Sequence, residues 1–131
     1  MVIHPFKVAH WLVLVAALLA STLATAAPAP APVRAEIEAL LGVLAASRCE
    51  FNRNGAWHTG AEAQAHLLRK LDALEGRSLV QTTEHFIERG ASASSSSGQA
   101  YQVRCAGAAP VPSRLWLTEQ LTRLRAPARK P

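Results

Sequence analysis

The sequence predicts an α+β domain: an antiparallel sheet of two or three short strands packed against three or four helices, closed by one disulfide. Three observations lead there. Apolar residues recur at helical spacing in four separate stretches. Two pentapeptides, CEFNR (49–53) and YQVRC (101–105), alternate as strands do. Each carries one of the chain's two cysteines.

The first helix rests on Ile37, Leu40, Leu41 and Leu44, at i, i+3, i+4 and i+7, and is expected over 34–47. In CEFNR, Cys49, Phe51 and Arg53 share one face. Asn54-Gly55 then signals a two-residue hairpin, because both residues tolerate the positive φ of a type I′ turn. AWH (56–58) is the returning strand, with Trp57 opposite Asn52, away from Phe51. That placement calls for a helix over the other face or for a longer loop.

Thr59-Gly-Ala-Glu62 reads as a capping box. It opens a second helix that runs to Glu75 and stops at Gly76. The apolar stripe of this helix is Ala63, Leu67, Leu71 and Leu74; its polar stripe is Glu62, His66, Arg69 and Lys70. Ser78-Leu-Val-Gln81 repeats the capping pattern, so a third helix is expected from Ser78 to Gly90, with Val80, Thr83, Phe86 and Ile87 inward. ASASSSSGQ (91–99) is too polar for the core and reads as a loop. After YQVRC, PVPS (110–113) delays the fourth helix until Ser113, the expected cap. Leu117, Leu121 and Leu124, with Trp116 beside them, form its stripe.

The ends point to export. Lys7 precedes an apolar run, Trp11 to Ala20, the length of a signal-peptide core and shorter than the ~20 residues that span a bilayer. Ala24-Thr25-Ala26 fits the small-residue cleavage pattern, so residues 1–26 read as a signal peptide cut after Ala26. An uncleaved anchor is the alternative. Residues 27–33 read as a Pro/Ala linker, 34–125 as the single domain, and 126–131 as a disordered basic tail. The expected location is periplasmic or secreted, with no stable membrane insertion after cleavage.

In such a compartment an even cysteine count argues for a Cys49–Cys105 bridge. The strand patterns agree. With the cysteines opposite each other in an antiparallel pair, Phe51 faces Val103 and Arg53 faces Tyr101, and a one-residue slip breaks every pair. A domain this small gains from such a staple.

The chain carries 14 Lys and Arg against 9 Asp and Glu. That excess is weaker than the dense patches of nucleic-acid binders, and export argues against nucleic acid. Anionic wall polymers, lipid headgroups or an acidic envelope protein suit the charge better. H-E-x-x-H and C-x-x-C spacings are absent from the sequence, so no metal and no cofactor are expected.

F-N-R-N-G (51–55), E-A-x-A-H-L-x-R-K-L (62–71), T-x-E-x-F-I (82–87) and A-S-x-S-S-x-S-G-x-x-Y (91–101) follow in order behind the export signal. In this the chain resembles the YfeK-like family of small exported bacterial proteins, domain-of-unknown-function family 5329. The resemblance covers nearly all of the mature chain. It implies a small secreted domain and supplies no activity. Its matched polar residues are Arg53, Asn54, His66, Lys70, Thr82, Glu84, Ser92, Ser94, Ser95 and Ser97, with Gly55, Gly98 and Tyr101 as backbone and packing partners.

The expected ligand-binding residues are Arg53, Asn54, His66, Lys70, Ser94, Ser95, Ser97 and Tyr101. His66 and Lys70 lie one turn apart, and Arg53 ends the hairpin strand just before their helix. Arg supplies a planar fork for a carboxylate or phosphate. The Ser loop is expected to accept hydrogen bonds from Arg53 or Lys70. The functional expectation is a non-catalytic binding protein of the cell envelope that recognises an anionic or polar ligand, with no catalytic residue.

Two alternatives stand beside it. One is a small hydrolase or transferase using His66 with a loop Ser, although G-x-S-x-G and S-x-x-K are missing. The other is an inhibitor of a wall-degrading enzyme, since Ser97-Gly-Gln-Ala-Tyr101 is similar to the S-G-x-x-Y loop of small periplasmic lysozyme inhibitors. Those are β-barrels, and this chain is mainly helical.

Overall fold

The computed structural model describes residues 26–127. The expected signal peptide (apart from Ala26) and the end of the basic tail lie outside the described residues. Four helices and four strands follow in the order α1 (Ala31–Ala46), β1 (Glu50–Arg53), β2 (Ala56–Thr59), α2 (Gly60–Glu75), α3 (Thr83–Gly90), β3 (Gln102–Arg104), β4 (Val111–Pro112) and α4 (Ser113–Arg125). The fold is α+β with one antiparallel sheet, ordered β2-β1-β3-β4. The fourth strand exceeds the two or three expected: PVPS blocks helix, yet Val111 and Pro112 still pair with Val103 and Gln102 at the sheet edge, where proline is tolerated.

β1 pairs with β3 as Glu50 to Arg104, Phe51 to Val103 and Asn52 to Gln102. Continued outward, this register sets Cys49 beside Cys105 and Arg53 beside Tyr101. The Cys49–Cys105 disulfide closes one end. Phe51, Tyr101 and Val103 are buried together with Ile37, Leu40, Leu41 and Leu44 of α1, Leu67 and Leu71 of α2, and Leu117 of α4. The apolar face of the sheet therefore lies under helices, as its alternation requires.

The hairpin is the tight one. Asn54 and Gly55 both have positive φ, 52° and 86°, and Trp57 stands opposite Asn52. Trp57 is half-buried. The Arg104 guanidinium lies 3.9 Å from its ring centroid, and Arg104 also pairs with Glu50 at 3.1 Å. This cation–π contact covers one side of the indole.

The Thr59/Glu62 capping box is present in both directions. Directly after the cap, Gly60 is buried against α1: a Cβ there would lie 2.1 Å from the Leu44 carbonyl oxygen. Only glycine permits that approach, so the start of α2 is seated on the end of α1.

Several boundaries differ from expectation. α1 begins at Ala31, inside the Pro/Ala stretch, because Pro is well suited to the first turn of a helix. Ala29 is buried against the core, and the Ala27 amide donates to Ser78 Oγ at 2.7 Å. Gly76 keeps right-handed backbone; Ser78, at φ 56°, takes the left-handed position that ends the turn after α2. Ser78 is thus unable to cap α3, and Thr82 does so, accepting from the His85 amide at 3.1 Å. Val80 is buried all the same, in the connecting segment.

Ser113 does not cap α4 either. It is fully buried, donates Oγ to the Ala91 carbonyl at 2.6 Å and its amide to the Tyr101 carbonyl at 2.9 Å. Leu124 is exposed, while Trp116, Leu117 and Leu121 face inward.

Arginines tie the helices from outside. Arg34 of α1 bonds Glu38, Asp72 and Glu75. Arg125 of α4 bonds Glu36 of α1 at 2.7 Å and Glu84 of α3 at 2.5 Å. The bond from Arg125, then that from Thr83, holds the Glu36 carboxyl below its usual range.

The disulfide closes a long segment, with a sequence separation of 56. Replacing both cysteines by serine is expected to cost about 4 kcal/mol, the chain-entropy value for such a loop. Urea unfolding of the double variant measures it, and an unchanged midpoint contradicts the role given to this bridge.

Candidate functional site

Arg53 leaves the end of β1 and Tyr101 precedes β3, so the sheet register places the two side by side. α2 runs past them and contributes His66 and Lys70 from one face. Seven of the eight residues expected to bind ligand—Arg53, Asn54, His66, Lys70, Ser94, Ser95 and Tyr101—line one cleft of about 280 Å³, together with Ser96. Ser97 stands behind it, where its hydroxyl donates to Asn54 Oδ1 at 2.5 Å.

The polar contacts form a chain with a defined direction. Arg53 Nη1 lies 2.8 Å from His66 Nδ1. A guanidinium has only donors, so Nδ1 must accept and the imidazole proton sits on Nε2. His66 Nε2 is 3.1 Å from the Tyr101 hydroxyl and donates to it. Lys70 Nζ donates to the same oxygen at 3.0 Å and to the Ala93 carbonyl at 2.8 Å. The Tyr101 oxygen therefore accepts twice, and its own proton has no acceptor among the described residues.

Electrostatics follow from this crowding. Burial first, then the charges of Arg53, Lys70, Arg69 and His58, pushes His66 down to about 4. Burial, with Arg53 adding to it, also lowers the Lys70 ammonium from its ordinary value. Burial raises the Tyr101 phenol, against a smaller opposing effect of Arg53. At neutral pH the corner thus holds two cations, a neutral imidazole and a neutral phenol. Among the described residues neither cation pairs with a carboxylate.

The serine loop is built rather than slack. Ser94 is buried and its Oγ accepts from Asn54 Nδ2 at 3.2 Å and from the Ser97 amide at 3.4 Å. Its amide and carbonyl bond Gln99 and Gly98, and Ala93 bridges to Ala100. The expected tie from α2 to the loop is made by Lys70, which donates to the Ala93 carbonyl; among the described residues neither Arg53 nor Lys70 bonds a serine hydroxyl, and Asn54, at the hairpin tip, bonds those of Ser94 and Ser97. No hydrogen bond among the described residues joins a serine hydroxyl to a histidine ring.

Two further clefts share walls with this one. Arg53 and His66 also line a hollow of about 320 Å³ with His58, Glu62 and Arg69. Lys70 and Ser95 also line a smaller one with Arg77 and Arg89. A larger groove, about 470 Å³ between α3 and α4, carries both signs of charge, Glu84 and Glu88 with Arg114 and Arg125. It has no net preference for an anion, which is why the smaller, one-signed cleft is the candidate site.

The strip missed by the sequence reading comprises Arg77 and Arg89. They lie twelve positions apart in the sequence, and only the turn through Ser78 and the docking of α3 bring them to one hollow. Among the described residues no three His, Cys, Asp or Glu side chains converge in a metal-ligating group, and no helix is long and apolar enough to cross a membrane.

Fold and site together define a small disulfide-closed α+β domain with a cationic cleft at the junction of hairpin, helix and serine loop. A family model described as a family of unknown function, DUF5329, matches residues 31–125, and the chain belongs to that family. No curated protein and no solved structure matches the chain.

The lowered His66 pKa makes stability depend on pH. An unfolded histidine binds its proton near 6.5, the folded one near 4, so the unfolded state holds more protons between these values. Stability is intact above 6.5 and is lost as the pH falls toward 4. Glu36 and Glu84, whose pKa values are depressed, act only below their ordinary carboxylate range. The urea midpoint is expected to fall from pH 6.5 to 5 in the native chain and to stay level over that window in His66→Gln. A level midpoint in both contradicts the assignment.

Proposed function

We propose that this domain is an exported, non-catalytic binding module of the bacterial cell envelope. It holds an anionic ligand in the cleft between Arg53, His66, Lys70 and the Ser94–Tyr101 loop. The observation that carries the reading is the pair of half-buried cations, Arg53 and Lys70, without carboxylate partners among the described residues, gathered around the hydroxyl of the buried Tyr101. Such a corner is costly while empty, because the like charges of Arg53 and Lys70 repel and Lys70 is partly desolvated. An anion relieves both effects. Arg53 offers its remaining N–H groups as a fork, Lys70 its remaining proton, and Tyr101 its O–H.

Export rests on the apolar run 11–20 and the Ala24-Thr25-Ala26 pattern, and the disulfide is compatible with an oxidising compartment. Catalysis has less support: Ser94 bonds Asn54 and the loop backbone, and His66 is engaged by Arg53 and Tyr101. One observation favours the inhibitor reading as a second choice. Ser95 to Ala100 are exposed, yet the loop is braced from within by Ser94 and Asn54, as a segment inserted into an enzyme cleft would need to be. A lysozyme inhibition assay separates that reading from simple anion binding.

The direct test uses galacturonate and inorganic phosphate as single-anion probes in calorimetric titration. Arg53→Gln and Lys70→Met are each expected to weaken binding about tenfold, one lost charge-assisted contact, while the fold is kept. Unchanged affinity in both variants contradicts the proposal.

A further inference from the structure

The cation distribution along α2 points beyond a single anion, and we infer that the protein binds an extended acidic polysaccharide laid along this helix. The inference rests on the anion-site reading above and extends it. Three hollows run in series, each sharing side chains with the next: Arg53 and His66 between the first and second, Lys70 and Ser95 between the second and third. Five cations lie along them, Arg53, Arg69, Lys70, Arg77 and Arg89. Among the described residues none of the five forms an ion pair with a carboxylate.

The rest of the molecule is different. Arg34, Arg104, Arg123 and Arg125 each have a carboxylate partner. Arg48 and Arg114 lack one but share their hollows with Glu50, and with Glu84 and Glu88. Among the described residues, the other cations therefore each have an acid in an ion pair or in the same hollow; those along this strip form no ion pair, and the one acid in their hollows is Glu62. That acid is committed to the capping box with Thr59 at the far end.

Length and chemistry narrow the ligand. From Glu62 to Glu75 the helix rises about 20 Å, a span for about four sugar units and far beyond one small anion. The groups between the cations are neutral hydrogen-bonding side chains, Asn54, Ser95 and Ser96, which suit hydroxyls between repeated charges. Nucleic acid fits poorly, because its single strands are gripped by stacking on exposed aromatics, and the aromatics here, Phe51 and Tyr101, are buried. An acidic protein fits poorly as well. The exposed large apolar residues Val111, Leu115 and Leu124 that would anchor one lie on β4 and α4, outside the three hollows.

The experiment measures the affinity of the mature domain for oligogalacturonates and heparin-derived oligosaccharides of increasing length. A single-stranded DNA of matched charge is the control. Affinity is expected to rise at least tenfold from the monosaccharide to about four units and then level. Arg77→Gln and Arg89→Gln are expected to weaken the long chains severalfold and leave galacturonate monomer binding unchanged. The double variant should bind long chains with a shallower salt dependence.

Equal affinity at all lengths, with both variants inert, overturns the polymer inference and leaves the single-anion site standing. Binding of neither monomer nor oligomer overturns both. DNA binding as tight as the oligosaccharides overturns the choice of a glycan.

Discussion

Phe51 and Val103 face each other across β1 and β3, and that register determines nearly everything else in the molecule. It sends the apolar side of the sheet under α1, α2 and α4. It also puts the two cysteines in bonding position at one end, and Arg53 beside Tyr101 at the other. A slip of β1 by one residue would turn Phe51 away from Val103 to the other face and carry Arg53 away from Tyr101 with it. The bridge fixes the pairing at the end where the strands leave α1; the core fixes it in the middle. The site is therefore a consequence of the same hydrogen-bond ladder that closes the fold, held by backbone rather than by long side chains alone.

The second constraint is where the molecule has left charge unbalanced. Arg125 answers Glu36 and Glu84, Arg34 answers three acids, and Arg104 answers Glu50 while covering Trp57. Most of these are exposed pairs, individually small in stability, with Glu75 the more buried exception, and they show the usual disposition of arginine on this surface. Around Tyr101 the disposition changes. Partial burial strengthens every interaction there, including the repulsion between Arg53 and Lys70. His66 responds by staying neutral, and that neutrality lets it link the guanidinium to the phenol. Binding capacity and local instability have one origin.

Much of this was legible in the sequence. Alternation in CEFNR and YQVRC gave the strand pairing and the bridge, Asn54-Gly55 the hairpin, and Thr59 with Glu62 the start of α2. These signals are local, or depend on a period that burial enforces. The convergence of Arg53, His66, Lys70 and Tyr101 followed from them, because the register and one helix face are enough to bring the four together.

What escaped depends on tertiary context. Ser78 resembles a cap but occupies a left-handed turn position, so α3 starts at Thr82. Ser113 resembles a cap but is drawn inward by the Ala91 and Tyr101 carbonyls. β4 is two residues long and exists only because β3 offers an edge. Composition marks the serine stretch only as a polar loop; that Asn54, at the hairpin tip, bonds Ser94 and Ser97 follows from the tertiary fold. Arg77 and Arg89 join the cationic strip only once α3 has docked.

Burial, with the charge of Arg53 beside it, holds His66 as a neutral imidazole protonated on Nε2, in a corner where, among the described residues, Arg53 and Lys70 have no carboxylate partner. Nitrogen-15 NMR of the histidine rings across a pH titration tests it most directly. His66 is expected to titrate at about 4, and above this pH its Nδ1 signal is expected to be that of an unprotonated ring nitrogen. A His66 that titrates at its ordinary value, or that carries its proton on Nδ1, would contradict the arrangement and the anion site built on it.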